Sequence, residues 1–284
     1  MKKLSVASFA LLAGIGSASA ADMPVKAPIA VPFSWTGFYI GANVGYSWGR
    51  ASDDFDATSS VRTRVFRTAD ATLLTDITAP GPAFALGGRS DVNGWLAGGQ
   101  IGYNWQANRF VFGVELDLQA TGQEGDSTFC STSACGVGSL RVIASHEMNW
   151  FGTARLRAGF LLTDTILLYA TGGLAVANLD STYTATLVGF GTGSASTSDT
   201  RAGWVIGAGA EAALSRNWSI KAEYLYMDFG DVNNAAGSST STVNLLGTPN
   251  QGFNTIIDTT VNATARTRWT DNIVRVGLNY RFTP

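Results

Sequence analysis

From Trp35 onward the chain alternates with a period of two. Phe38, Ile40, Ala42, Val44, Tyr46 and Trp48 interleave with Gly37, Tyr39, Gly41, Asn43, Gly45 and Ser47. Successive side chains of a strand point to opposite faces, so this segment is a strand with one apolar side and one side of Gly and polar groups. A soluble sandwich buries such a stripe. A closed barrel in a bilayer turns it outward, because lipid admits only helices or edgeless barrels. The arrangement of the other strands decides between the two.

The alternation recurs near residues 92–106, 110–119, 150–162, 166–176, 204–214, 218–226 and 274–282. Ala107-Asn108-Arg109, Thr163-Asp164-Thr165 and Ser215-Arg216-Asn217 are tight turns, whereas the other connections are long and rich in Gly, Ser and Thr. A sandwich has no reason to segregate its connections in this way. Aromatic residues cluster at both strand ends. Trp48, Trp95, Trp150 and Trp204 lie toward the long connections, and Trp105, Trp218 and Phe282 toward the tight turns. Two such girdles flank the apolar band of an outer-membrane barrel. The expected fold is therefore all-β: an eight-stranded antiparallel transmembrane β-barrel with short periplasmic turns and long extracellular loops. The expected location is the cell outer membrane.

The first residues read as an export signal. Lys2 and Lys3 precede an apolar run from Leu4 to Ile15, and Ala18-Ser19-Ala20 is a small-residue cleavage site. That run is shorter than the about 20 residues a spanning helix needs. The expected organisation is a signal peptide over 1–20, a Pro-rich periplasmic lead-in over 21–34 and a barrel over 35–284. Losing Lys2 and Lys3 leaves 17 basic against 21 acidic residues, so the formal charge moves from −2 to −4. That mild acidity gives no footprint for nucleic acid. In an oxidising compartment Cys130 and Cys135 are expected to form a small loop disulfide. A metal site would need more ligands than His146, the single histidine, can supply. No cofactor is expected.

The inward parity carries Glu115, Asp117, Glu211 and Glu223 against Arg155, Arg157, Lys221, Arg275 and Arg281. Neighbouring strands would let Glu115 and Asp117 meet Arg155 and Arg157, and let Glu223 meet Arg275 or Arg281. Unpaired charge in a narrow interior is costly, and eight strands enclose little more than their own side chains. A lumen plugged by ion pairs is expected over a charged, conducting constriction. The 33 glycines suggest small residues along the lumen wall. Catalysis is not expected. Ser145, His146 and Glu147 are adjacent on a strand and point opposite ways, so they cannot form a triad, and no G-x-S-x-G elbow is present. His146 reads as an ordinary residue near the rim.

Several segments resemble the small outer-membrane immunogenic proteins of alphaproteobacteria, an OmpA-type or porin-family group of barrels. The segments are ADMPVKAP followed by FSWTGFYIGANVGYSWG, GWLAGGQIGYNWQ with FVFGVELD, and the closing NIVRVGLNYRF. One departure is that Phe282 is followed by Thr283 and Pro284, where such barrels usually end on an aromatic residue. The resemblance implies a surface protein that supports the envelope, with narrow-pore activity or hemin binding as alternatives. Expected partners are outer-membrane lipid and lipopolysaccharide, with host or envelope partners reached through the loops. A monomer is expected.

Overall fold

The computed structural model describes residues 33–189, 191–245 and 252–282. The expected signal peptide, the lead-in up to Pro32 and the Thr283-Pro284 tail lie outside the described residues. Eight antiparallel strands close into a barrel in sequence order, β1 to β8. They are β1 Gly37–Arg67, β2 Leu73–Ala107, β3 Phe110–Cys130, β4 Leu140–Thr163, β5 Ile166–Leu187, β6 Gly191–Ala213, β7 Trp218–Leu245 and β8 Phe253–Phe282. Closure is made by β1 and β8, whose ladder runs from Phe38↔Phe282 to Arg67↔Phe253. Asn108 takes the left-handed backbone (φ 56) in the β2–β3 turn, a conformation Asn tolerates better than most residues.

The apolar stripe faces outward. Val44, Leu116, Leu156, Leu174 and Ile206 are each more than half exposed, as are Trp95 and Trp105. Trp48, Trp150, Trp204, Trp218 and Phe282 also lie on this outer surface. From Phe38 to Trp48 the strand rises about 33 Å, or about 25 Å along the barrel axis at a tilt near 40°, which matches a membrane band.

The strands continue far past that band. A membrane strand needs about 9–11 residues, whereas these run from 21 to 35. The stretches read above as long loops are therefore largely strand. Residues 51–67 and 73–91 form one paired ribbon, and β6 begins at Gly191 rather than near Trp204. The error arises because Ser, Thr and Gly alternate there without a continuous apolar stripe. A ladder already started in the barrel needs only backbone pairing to continue. Trp35, expected to open the first strand, precedes it and is fully buried.

Above the membrane the ring splits into two sheets. The β2–β3 ladder stops at Asn93↔Glu124 and the β6–β7 ladder at Trp204↔Asp228. The remaining ladders run on, giving one sheet of β7, β8, β1 and β2 and another of β3, β4, β5 and β6. At the β6–β7 seam, β7 has a register shift between Asp228 and Gly230, and Gly230 has a positive φ of 68°. A bulge bends its strand, so this one turns β7 away from β6. The β2–β3 seam is bridged by side chains. The Ser90 hydroxyl donates to the Ser127 hydroxyl at 2.6 Å, and Phe129 covers Gly88 so closely that a Cβ there would lie 1.8 Å from its ring. Phe55, Leu140, Val142, Ala144, Tyr183 and Ala265 pack between the two sheets. The molecule thus carries an extracellular two-sheet extension with its own apolar core. Cys130 and Cys135 are joined by a disulfide at the β3–β4 connection.

Candidate functional site

The interior is filled in layers. At the periplasmic floor Trp35, Val111, Leu161, Leu167 and Tyr169 form an apolar cluster. Trp35 donates through its backbone N–H to Gln106 Oε1 (2.7 Å) and through its indole to the Asp164 carbonyl (3.1 Å). Arg281 belongs to this floor. It donates to the Ser34 carbonyl at 2.6 Å, and its guanidinium lies 4.7 and 4.6 Å from the Phe33 and Trp35 ring centres. Of the two partners expected for Glu223, Arg281 is held here instead, and Arg275 makes the pair. Arg275 and Arg281 share a parity, but six residues of strand place them about 20 Å apart.

Above the floor lies the charge cluster. Arg155 on β4 donates to Glu115 and Asp117 of β3, the latter at 2.8 Å, and to Glu223 of β7 at 2.9 Å. Arg157 pairs with Glu211 of β6 at 2.8 Å and lies 3.8 Å from Glu115. Arg275 of β8 pairs with Glu223 at 2.7 Å and Asp117 at 3.0 Å. Lys221 of β7 reaches Glu115 at 2.9 Å. Four acids thus meet four bases, and all eight are buried. Parity placed these residues on the inner face, and neighbour pairing is seen for Glu115 with Arg155. The cross-lumen contacts depend on barrel curvature, which the sequence does not display.

Sequence reasoning missed the hydroxyls that complete the cluster. The Tyr39 hydroxyl donates to Glu115 Oε2 (2.6 Å), Thr153 to Asp117 Oδ2 (2.8 Å), Ser219 to Glu211 Oε1 (2.6 Å) and Tyr169 to Glu223 Oε1 (3.2 Å). The signal was available, since Tyr39 and Tyr169 stand at inward positions among glycines and charges. Each carboxylate satisfied by a hydroxyl or guanidinium lowers the cost of its burial.

The expectation of a small-residue lumen fails above this layer. Leu96, Met148, Phe151, Leu225, Met227, Trp269 and Ile273 form an apolar core inside the barrel. Large side chains therefore fill the interior at this level.

His146 is fully buried rather than a rim residue. Its Nε2 lies 3.0 Å from Asp53 Oδ2 of β1 and its Nδ1 lies 3.0 Å from the Ser181 hydroxyl of β5. Tyr183 and Thr267 also donate to Asp53 Oδ1, at 3.1 and 2.7 Å. The ring is held edgewise by Tyr183 and Trp269, with centres 5.8 and 5.4 Å away. Ser, His and Asp are in hydrogen-bonding sequence, with Ser181 and His146 2% and 0% exposed. Farther out, Arg62 pairs with Asp76 and Arg64 with Asp258, both at 2.5 Å. The Arg62 hydrogen bond holds the Asp76 carboxyl below its ordinary range. The Thr242 hydroxyl, then Arg64, does the same for Asp258. No group of three or more metal-ligating side chains occurs among the described residues.

A ring of eight antiparallel strands with an apolar outer belt, two aromatic girdles and a packed interior defines a bilayer-spanning β-barrel. The chain belongs to the outer membrane protein beta-barrel domain family, which it matches over residues 7–282. It is 37% identical to the 31 kDa outer-membrane immunogenic protein of Brucella melitensis biotype 1, over 99% of this chain and 100% of that one. It is 30% identical to a 22 kDa outer membrane protein of Rhizobium leguminosarum bv. viciae, over 72% of this chain and 69% of the relative. A solved structure, OprG from Pseudomonas aeruginosa, aligns at 15% identity with a TM-score of 0.36, covering 89% of this chain and 100% of that one. The protein is an alphaproteobacterial-type outer-membrane protein and resides in the outer membrane.

Proposed function

We propose that this protein is a structural, surface-exposed barrel of the outer membrane that supports envelope integrity and surface interactions, with a lumen closed by its charge network. It carries out no catalysis. It works as a monomer in outer-membrane lipid and lipopolysaccharide, since a closed ring leaves no strand edge in the bilayer. Its outer partners meet the two-sheet extension. The observation that carries this reading is the buried cluster of four acids and four bases spanning the lumen. Its members bind one another across the path an ion would take. The apolar core above them supports the same reading. The immunogenic relatives' names support surface exposure.

The test is single-channel recording in planar bilayers. The wild type is expected to conduct little or nothing. Replacing both Arg155 and Arg157 with Ala should lower stability, while the apolar core above them keeps the current small. Large, steady conductance from the wild type would overturn the closed-lumen reading in favour of a narrow diffusion channel.

A further inference from the structure

The extracellular extension contains a cavity of about 300 Å³. It lies where the tip of the β5–β6 hairpin faces β7 and β8, beside the seam at which β6 and β7 are no longer paired. Phe55, Leu140 and Ala265, from the core between the two sheets, form its apolar floor. Tyr183 lines it with a hydroxyl already tied to Asp53. Ser241 and Thr259 bring hydroxyl groups to the walls, and none of the described lining residues is charged.

We propose that this cavity is a binding site for a small, neutral, amphipathic molecule, with an apolar body on the aromatic floor and one or two hydroxyl or carbonyl groups against the walls. The volume lies at the lower end of the about 300–1,000 Å³ typical of ligand pockets. Neutrality follows from the lining. A charged ligand would leave water without gaining a partner of opposite sign. A carboxylate-bearing ligand such as hemin finds no cation there. The site is also closed to a peptide strand. A strand laid between β6 and β7 needs about 4.8 Å on each side. Across the seam a Cβ on Gly237 would stand 3.6 Å from the Ala195 Cβ, and one on Gly191 would stand 3.8 Å from the Ser241 hydroxyl. The two walls approach too closely there for an added strand, and the chamber lies beside this approach. The chamber has a structural origin in the bulge at Gly230, which separates β7 from β6 while both strands continue outward. The proposal is independent of whether the lumen conducts.

The probe is N-phenyl-1-naphthylamine, a neutral fluorophore with two aryl groups and one N–H. It is titrated into the full barrel held in amphipol, so that no micelle competes. Wild type should give a saturable, one-to-one rise in fluorescence. Ala263→Trp, which fills the chamber from β8, and Ala195→Leu, which fills it from β6, should each weaken binding at least tenfold. Ala185→Asp should do the same by placing a charge in the lining. Val137→Thr, on the exposed disulfide loop, should change nothing. Each variant must keep its heat-dependent shift on a gel, so that lost binding is not lost fold. Three results would overturn the proposal: uptake that never saturates, saturable binding unaltered in both filled variants, or displacement of the probe by hemin.

Discussion

Lys221 on β7 donates to both carboxylate oxygens of Glu115 on β3, at 2.9 and 3.0 Å. In a ring of eight strands, β3 and β7 stand opposite one another. A single ammonium therefore ties the two walls together across the lumen. Lys is suited to this reach, because its long stem carries a compact charge to the centre without a planar fork to orient.

That contact makes a stability prediction. Lys221→Met leaves four acids against three bases in a buried cluster. Breaking a buried pair typically costs about 3–5 kcal/mol, because the remaining charge has no water. Urea titration in lipid should show a loss of that order. Lys221→Met combined with Glu115→Gln should recover part of it. A double variant at the sum of the two single losses would show that the residues do not act as a pair.

Adjacent glycines on β5 provide a test of inward and outward faces. A Cβ on Gly173 would lie 2.0 Å from the Ala154 carbonyl, whereas one on Gly172 meets only the Val205 carbonyl at 3.6 Å. Closing eight strands tightly crowds the inner face and opens the outer one. Gly173→Ala should cost about 1–3 kcal/mol or more through overpacking, and Gly172→Ala should be neutral or stabilising. Gly207 is crowded too, with a Cβ 2.3 Å from the Tyr224 carbonyl, so Gly207→Ser should be damaging although it faces inward. Leu116→Arg faces lipid and should cost about 2–4 kcal/mol. Equal effects at Gly172 and Gly173 would refute the assignment of faces.

The legible part of this fold follows from period-two alternation. Leu116 against Glu115 and Leu156 against Arg155 show their faces directly, so the strand number and the inward charges could be read. Where the outer stripe gives way to Ser, Thr and Asp, as over 52–60, the pattern no longer separates strand from loop. The sequence pattern there therefore predicts loops where the structure has strands. His146 shows a different limit. Its neighbours in sequence point away, and its partners come from 93 and 35 residues off, through a register that only the closed ring defines. Parity places Arg281 on the inner face but carries no information on which layer it reaches.

The buried His146 layer yields a third prediction. Asp53 accepts from Tyr183 and Thr267 and sits 3.0 Å from His146 Nε2. Asp53→Ala removes the shared acceptor, and each buried polar group left unmade costs about 1–3 kcal/mol. Asp53→Asn keeps one acceptor oxygen and should be milder. Fluorophosphonate should leave Ser181 unmodified in the folded protein, because the serine is buried. Covalent labelling at Ser181 would overturn the reading of this layer as structural and the proposal that the protein is not an enzyme.

The last prediction separates the membrane barrel from the sheets above it. Within the band, eight ladders close the ring, and resistance to SDS resides there. Above the band, two ladders are missing, and the sheets are held by the core around Leu140, Val142 and Phe55. Leu140 is 3% exposed. Leu140→Ala should cost about 2–5 kcal/mol of local stability through the lost methylenes and the cavity left behind. Hydrogen exchange should then quicken over residues 55–65, 140–144 and 257–265, while amides between Phe38 and Trp48 stay protected. The heat-dependent gel shift should persist. Uniform exchange across both regions, or loss of the gel shift, would show that the barrel and its extension unfold as one unit.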